Sequence, residues 1–136
     1  MHNPYLAILL AAVAAWIFGS VWYSTLSRPW LAALGNDPAQ IEAKKNVRAV
    51  PYAPMAVSFV AEIAMATLLS YLLASLGVGD LVAAAITGLA LGFGVMALPG
   101  LVNNMFAGRT LMLSVIDGAH WIGVAVIECL VLTALS

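Results

Sequence analysis

Residues 111–135 read LMLSVIDGAHWIGVAVIECLVLTAL. A run this long and this apolar crosses about 30 Å of hydrocarbon, since about 20 residues suffice at 1.5 Å per residue. It nevertheless carries three ionisable side chains, Asp117, His120 and Glu128. At about 100° per residue, Asp117 and Glu128 fall about 20° apart and His120 lies about 60° to one side, a stripe about 80° wide. An ionisable group facing lipid at mid-membrane costs on the order of 2.5–3.5 kcal/mol on insertion scales. The stripe must therefore face other helices or a partner, which places this segment in a membrane bundle.

Three more stretches of similar length lie upstream. Residues 4–26 carry no charge, residues 52–76 carry Glu62 alone, and residues 81–102 carry none. The whole chain is 136 residues, 64% hydrophobic and 8% charged, against about 45–50% and about 25% in soluble domains. Five Lys or Arg and six Asp or Glu are too few to cover a water-facing globule. The length holds four spans and no sizeable soluble domain, so a single transmembrane domain over 1–136 is expected. A secretory signal is a poor reading of residues 4–26, which lack a basic leader and run past the usual apolar length. A net charge of −1 offers no basic face to nucleic acid. One cysteine excludes an internal disulfide and any cluster of Cys ligands.

The basic residues set an expected orientation. Arg28, Lys44, Lys45 and Arg48 fall between the first and second stretches, and Arg109 between the third and fourth. By the positive-inside rule, loops 27–51 and 103–110 face the cytoplasm and both termini face out, in a cell membrane. Within the first loop, Arg28-Pro29-Trp30 reads as an interfacial anchor. Asp37-Pro38 reads as a helix cap followed by proline at the first helical position, with Lys44 and Lys45 near the negative end of a short interfacial helix. That helix either shortens the connection or docks a partner. The remaining connections are short, which predicts an all-α, up-down four-helix bundle with sequential helices as neighbours.

Small residues recur at intervals of four: Ala11, Ala15 and Gly19, then Gly88 and Gly92, then Ala119 and Gly123. Such stripes allow close backbone approach in lipid, at helix crossings inside the chain or at a homo-oligomer seam. Pro99 should kink or loosen the third helix before Asn103. The lipid bilayer is the first partner expected, with further copies or a larger membrane complex beside it.

The polar residues at membrane depth are the candidate site. Counting from the start of each span, Glu62 and His120 lie about 15 Å and about 13 Å deep, level with each other and able to pair if the second and fourth helices touch. Asp117 falls near the depth of Asn103 and Asn104, while Glu128 lies near the outer end, where it would be wet. The group is either a polar clamp that fixes helix register or a site for a proton, an ion or a small polar ligand. Tyr23, Trp16 and Trp22 crowd the inner half of the first helix and serve as packing, with Tyr23 and Trp16 on one face as an alternative pocket wall. Asp117-x-x-His120 has the spacing of half a carboxylate-bridged metal site, but the chain has no second half, so no metal is expected within it. Cys129 has no basic neighbour, no serine sits in a nucleophile elbow, and no glycine-rich phosphate loop is present. No cofactor follows from these residues, and an enzyme is the least supported class.

Trp22-Tyr23-Ser24-Thr25-Leu26 and Pro29-Trp30-Leu31-Ala32-Ala33-Leu34-Gly35 resemble the opening of the domain of unknown function 1761 family. Asn103-Asn104-Met105-Phe106, Arg109 and Asp117-Gly118 resemble its second half. The resemblance implies a small four-helix integral membrane protein, carries no reaction, cofactor or substrate, and draws attention to Trp22, Tyr23, Asn103, Asn104, Arg109 and Asp117. Glu62 and His120 have no place in the family pattern. The function expected is a homo-oligomeric binding or permeation unit with a polar interior formed by Glu62, Asn103, Asn104, Asp117, His120, Tyr23 and Arg109. The alternative is an accessory or assembly subunit docking on a larger membrane complex.

Overall fold

The computed structural model describes residues 3–47 and 51–136, and every element among them is helical. Helix α1 (Pro4–Thr25) starts where the Asn3 side chain accepts the N–H groups of Tyr5 and Leu6, with Pro4 at the first helical position. Asparagine supplies the acceptor that the first turn lacks, and proline there forfeits no hydrogen bond. The connection to the second span folds into two short helices, α2 (Ser27–Ala33) and α3 (Pro38–Asn46). Helix α3 begins at the expected cap. Asp37 accepts the Gln40 N–H at 2.8 Å, and the Gln40 side chain accepts the Asp37 N–H at 2.9 Å, a reciprocal capping box. The Arg28-Pro29-Trp30 anchor is itself helical, an element the sequence did not predict, with Pro29 tolerated in the first turn of α2. Arg28 pairs with Glu42, and Lys45 donates to the Ser27 hydroxyl at 3.2 Å, so α2 and α3 are tied together. Both members of the ion pair are exposed, and their contribution to stability is small. Arg48, the remaining basic residue of this loop, lies outside the described residues.

Helix α4 (Tyr52–Leu76) ends at Gly77, whose φ of 67° lets the Val78 N–H turn back onto the Leu73 carbonyl at 3.0 Å. The third membrane segment has three parts: α5 (Leu81–Leu91), a π-helical stretch Gly92–Ala97, and α6 (Leu98–Phe106). Pro99 accounts for this. In a regular α-helix it gives no N–H to the Val95 carbonyl and presses its ring against it. The widened turn before Pro99 relieves that clash, so the expected kink takes the form of a π turn and the helix runs on to Phe106. Asn103 and Asn104, expected in a loop, are helical as a result. Helix α7 (Leu111–Ala134) is capped by Thr110, whose hydroxyl accepts the Leu113 N–H.

Four helices are long and apolar enough to span a membrane, and the protein is a multi-pass membrane protein built as a helical bundle. Its exterior presents Leu9, Ile17, Val57, Ile86 and Phe93 to lipid. The centre is α7. In its most apolar stretch 44% of residues are buried, against 22%, 22% and 17% in the other three spans. It packs against α1, α4, α5, the π turn and α6, whereas α4 rests on α1 and α7. The second and third spans are joined by the short turn 77–80 yet pack on α7 rather than along each other, so sequential helices are not all neighbours.

The small-residue stripes form crossings within the chain. Ala11 and Ala15 are fully buried. A Cβ on Gly88 would lie 2.7 Å from Val126 Cα, and one on Gly92 would lie 2.6 Å from Ile122 Cα. One on Gly123 would lie 2.5 Å from the tip of the Phe18 ring. The spans are also staggered. Trp16 Nε1 donates to the Met55 carbonyl and to the Ser58 hydroxyl, each at 3.1 Å. The first turns of α4 are therefore level with the middle of α1 and not with its end.

Candidate functional site

The C-terminal end of α1 meets the first turns of α7. Trp22 Nε1 donates to the Ile116 carbonyl at 3.1 Å, which sets the register. One residue on, the Tyr23 hydroxyl donates to Asp117 Oδ1 at 2.7 Å. Helix α2 folds back far enough for Trp30 Nε1 to donate to the same oxygen at 3.2 Å, and the Tyr23 and Trp30 rings meet edge to face at 5.7 Å. Both donors thus hold Oδ1. The second oxygen, Oδ2, takes no donor among the described residues, and Asp117 lines a cleft of about 250 Å3 between α6 and α7.

Asn103, Asn104, Ser114 and Trp121 line the same cleft, and Gly100 leaves its wall open. Asn104 Nδ2 donates to the Ser114 hydroxyl at 3.1 Å, which leaves the Asn104 carbonyl oxygen without a protein partner. Asn103 is exposed at the mouth. The walls come together because Gly118 lets α7 approach the third span, where a Cβ would lie 3.2 Å from Ala97 Cβ. Among the described residues, the polar groups of the lining without a partner are Asp117 Oδ2 and the Asn104 amide oxygen as acceptors, the second Asn104 N–H, the Ser114 hydroxyl hydrogen and the Trp121 indole N–H as donors, and the Asn103 amide as both. Asp117 is the one charged group of this lining, so the set suits a small cation or a polar molecule that donates to the carboxylate while accepting from the neighbouring donors. A larger groove of about 510 Å3 between α1 and α4, lined by Val13, Trp16, Ile17 and Phe59 among others, is apolar and offers no such chemistry.

His120 does not face the cleft. Its imidazole stacks on Phe18 at 6.0 Å and contacts the rings of Tyr23 and Trp121, each at 4.9 Å. It is seated by Gly19, where a Cβ would lie 2.8 Å from Nε2. Nδ1 is buried with no hydrogen-bond partner among the described residues. The expected Glu62–His120 pair is not formed. Glu62 lies instead within hydrogen-bonding reach of Glu128. Counting depth took α4 and α7 to start level, whereas the stagger carries Glu62 two turns further along α7, about 12 Å. Glu128, expected to be wet near the outer end, is fully buried. Arg109 is exposed and does not line the cleft. Its backbone N–H donates to the Asn104 carbonyl at 2.9 Å behind Gly108, whose φ is 68°, and so closes the helix that carries the asparagines. Among the described residues, no three His, Cys, Asp or Glu side chains gather where a metal ion could sit.

The family described as protein of unknown function (DUF1761) matches residues 6–133. The chain belongs to the DUF1761 family. No curated protein and no solved structure matches it. In this DUF1761 member, the segments that carry the resemblance are distant in sequence and meet at one end of the bundle. Tyr23 and Trp30 reach Asp117, Trp22 fixes the register of α7, and Asn104 closes on Ser114.

Sequence reasoning missed Ser114, Trp30 and Trp121 as site residues. Ser114 precedes Asp117 by three positions and shares its helix face, a signal that was readable. Trp30 had none, because its reach to Asp117 depends on the fold-back of α2.

Proposed function

We propose that the cleft between α6 and α7 binds a small cation or hydrogen-bond-donating molecule, with Asp117 as the anchoring group. The observation that carries this reading is the asymmetry at Asp117, a residue of the cleft lining: Oδ1 is held by Tyr23 and Trp30 while Oδ2 has no donor among the described residues. A carboxylate needed only for packing would have both oxygens satisfied by the protein. Asn104 and Asn103 add amide groups to the lining, and Trp121 adds an indole. The distribution of Arg28, Lys44, Lys45, Arg48 and Arg109 supports a cleft on the cytoplasmic side of a cell membrane, with both termini outside. The site lies within one chain. A homo-oligomer would multiply the site without being needed to complete it.

The test is a fluorescence titration of the purified protein, since Trp30 and Trp121 flank the site. Methylammonium through tetramethylammonium serve as cationic probes, with acetate as the anionic control. Saturable change with the ammonium series, lost in Asp117→Asn and kept in Tyr71→Phe on the lipid face, is the expected result. A response equal in Asp117→Asn, or equal with acetate, overturns the reading.

A further inference from the structure

The second buried polar group lies deeper and is separate from the cleft. Glu62 of α4 is 2% exposed and Glu128 of α7 is 0% exposed. Glu62 Oε2 and both Glu128 oxygens are buried and find no donor among the described residues. Among the described residues no cation faces them, because α1 and α5 hold no charged side chain. The nearest histidine or carboxylate along α7 is His120, two turns away against Phe18. The thiol of Cys129, next in the chain, lies in the apolar core with Ala11, Ala66 and Leu132. Between His120 and Glu128 the helix presents Val124 and Ala125, both fully buried, a dry separation of about 12 Å.

We infer that Glu62 and Glu128 form a proton-binding site inside the membrane, a carboxyl–carboxyl pair that holds a proton between α4 and α7. Two ionised carboxylates at this separation have no hydrogen to share and repel strongly where the dielectric is low. A proton placed between them makes one a donor and the other an acceptor, and removes charge from hydrocarbon at the same time. A metal or alkali cation fits less well. It needs several oxygen ligands, and among the described residues no third His, Cys, Asp or Glu gathers with these two. The proton also ties helices together. With it bound, α4 and α7 are joined by a hydrogen bond at their only contact between charged side chains. Without it, the same two residues push them apart.

Protein reconstituted in liposomes is treated at neutral pH with a hydrophobic carbodiimide, which attacks protonated carboxyls in apolar surroundings. The carboxyl proton passes to a carbodiimide nitrogen as the carboxylate oxygen bonds to the central carbon. The adduct rearranges to an N-acylurea that retains every atom of both reactants. Mass spectrometry should find one adduct per chain, on Glu62 or Glu128, in wild type and in Asp117→Asn alike. Infrared spectra should show the carbonyl band of an undissociated acid that shifts in deuterium oxide. It should vanish in Glu62→Gln/Glu128→Gln, whose amides bond to each other without a shared proton. Should that variant fail to fold, carbon-13 glutamate in the wild-type chain decides the matter, since Glu42 is the one other glutamate and is exposed. A band that moves with the isotope supports the site. An absent acid band, a band insensitive to glutamate labelling, or an adduct confined to Asp117 overturns it.

Discussion

Replacing Gly88 with alanine tests the central crossing of the bundle. The added Cβ would lie 2.7 Å from Val126 Cα, 2.8 Å from the Ala125 carbonyl oxygen and 2.9 Å from Val126 N. All three are backbone atoms, so no side chain can swing aside. Carbon atoms rest at about 3.5–4.0 Å, and α5 must retreat from α7 by roughly 1 Å to admit the methyl group. Overpacking of this kind costs about 1–3 kcal/mol, offset by about 0.5–1 kcal/mol from removing a helical glycine. Gly88→Ala should therefore lose up to about 2.5 kcal/mol of stability, with about 1 kcal/mol at mid-range. Gly92→Ala, 2.6 Å from Ile122 Cα, should behave alike. The double variant should lose less than the sum, because one retreat makes room for both methyl groups. Gly94 is the internal control. It lies in the same membrane segment with nothing within 4 Å of its Cβ position, so Gly94→Ala should be neutral or stabilising. Equilibrium unfolding in mixed micelles, followed by tryptophan fluorescence, measures all four. Equal stability of Gly88→Ala and wild type would show that α5 does not pack on α7 at this distance.

Tyr23→Phe and Asp117→Asn, alone and combined, form a double-mutant cycle. A hydrogen bond to a charged group is worth about 1.5–3 kcal/mol, so the unfolding free energies should show a coupling of at least about 1 kcal/mol, and strict additivity would remove the bond. Asp37→Ala deletes one half of the α3 capping box and should cost about 1 kcal/mol locally. Hydrogen exchange should rise across residues 38–46 while the membrane helices stay protected, and unchanged exchange would contradict the cap. Gly123→Ala forces a Cβ to 2.5 Å and 2.6 Å from the Phe18 ring. The midpoint of thermal unfolding should fall and be restored by adding Phe18→Leu, and failure of that rescue would place the strain elsewhere.

The spans were legible because each is a long apolar run, and hydrocarbon leaves the backbone no other fold. The α3 cap was legible from Asp37-Pro38 alone, since capping is a local matter. What depends on the relative height of two helices was not. Glu62 was matched to His120 by counting from helix starts, and nothing in residues 26–51 reveals that this connection folds into α2 and α3 and delivers Met55 to the level of Trp16. The same blindness hid Trp30 as a donor to Asp117. The asparagines were misplaced for a different reason. A proline ends or bends most helices, and here the π turn at Gly92–Ala97 absorbs Pro99 and keeps the helix going.

Centrality of α7 explains why the ionisable residues gather there. A helix on the rim of the bundle has a lipid-facing side over most of its circumference, where a carboxyl would be costly. Helix α7 alone is surrounded by the other three spans, so it can carry several polar groups at different depths. The stripe formed by Asp117, His120 and Glu128 is narrow, yet each residue meets different company: Asp117 meets Tyr23, Trp30 and the cleft, His120 meets the aromatic rings of α1, and Glu128 meets Glu62 of α4. One face of one helix thus carries two polar groups, because the stagger of α4 brings its single carboxyl to the C-terminal half of α7 while the N-terminal half is left to α1 and α2. The apolar pair Val124 and Ala125 keeps them apart. A substitution that empties one site should leave the other intact, which is why Asp117→Asn and Glu62→Gln/Glu128→Gln can be read independently.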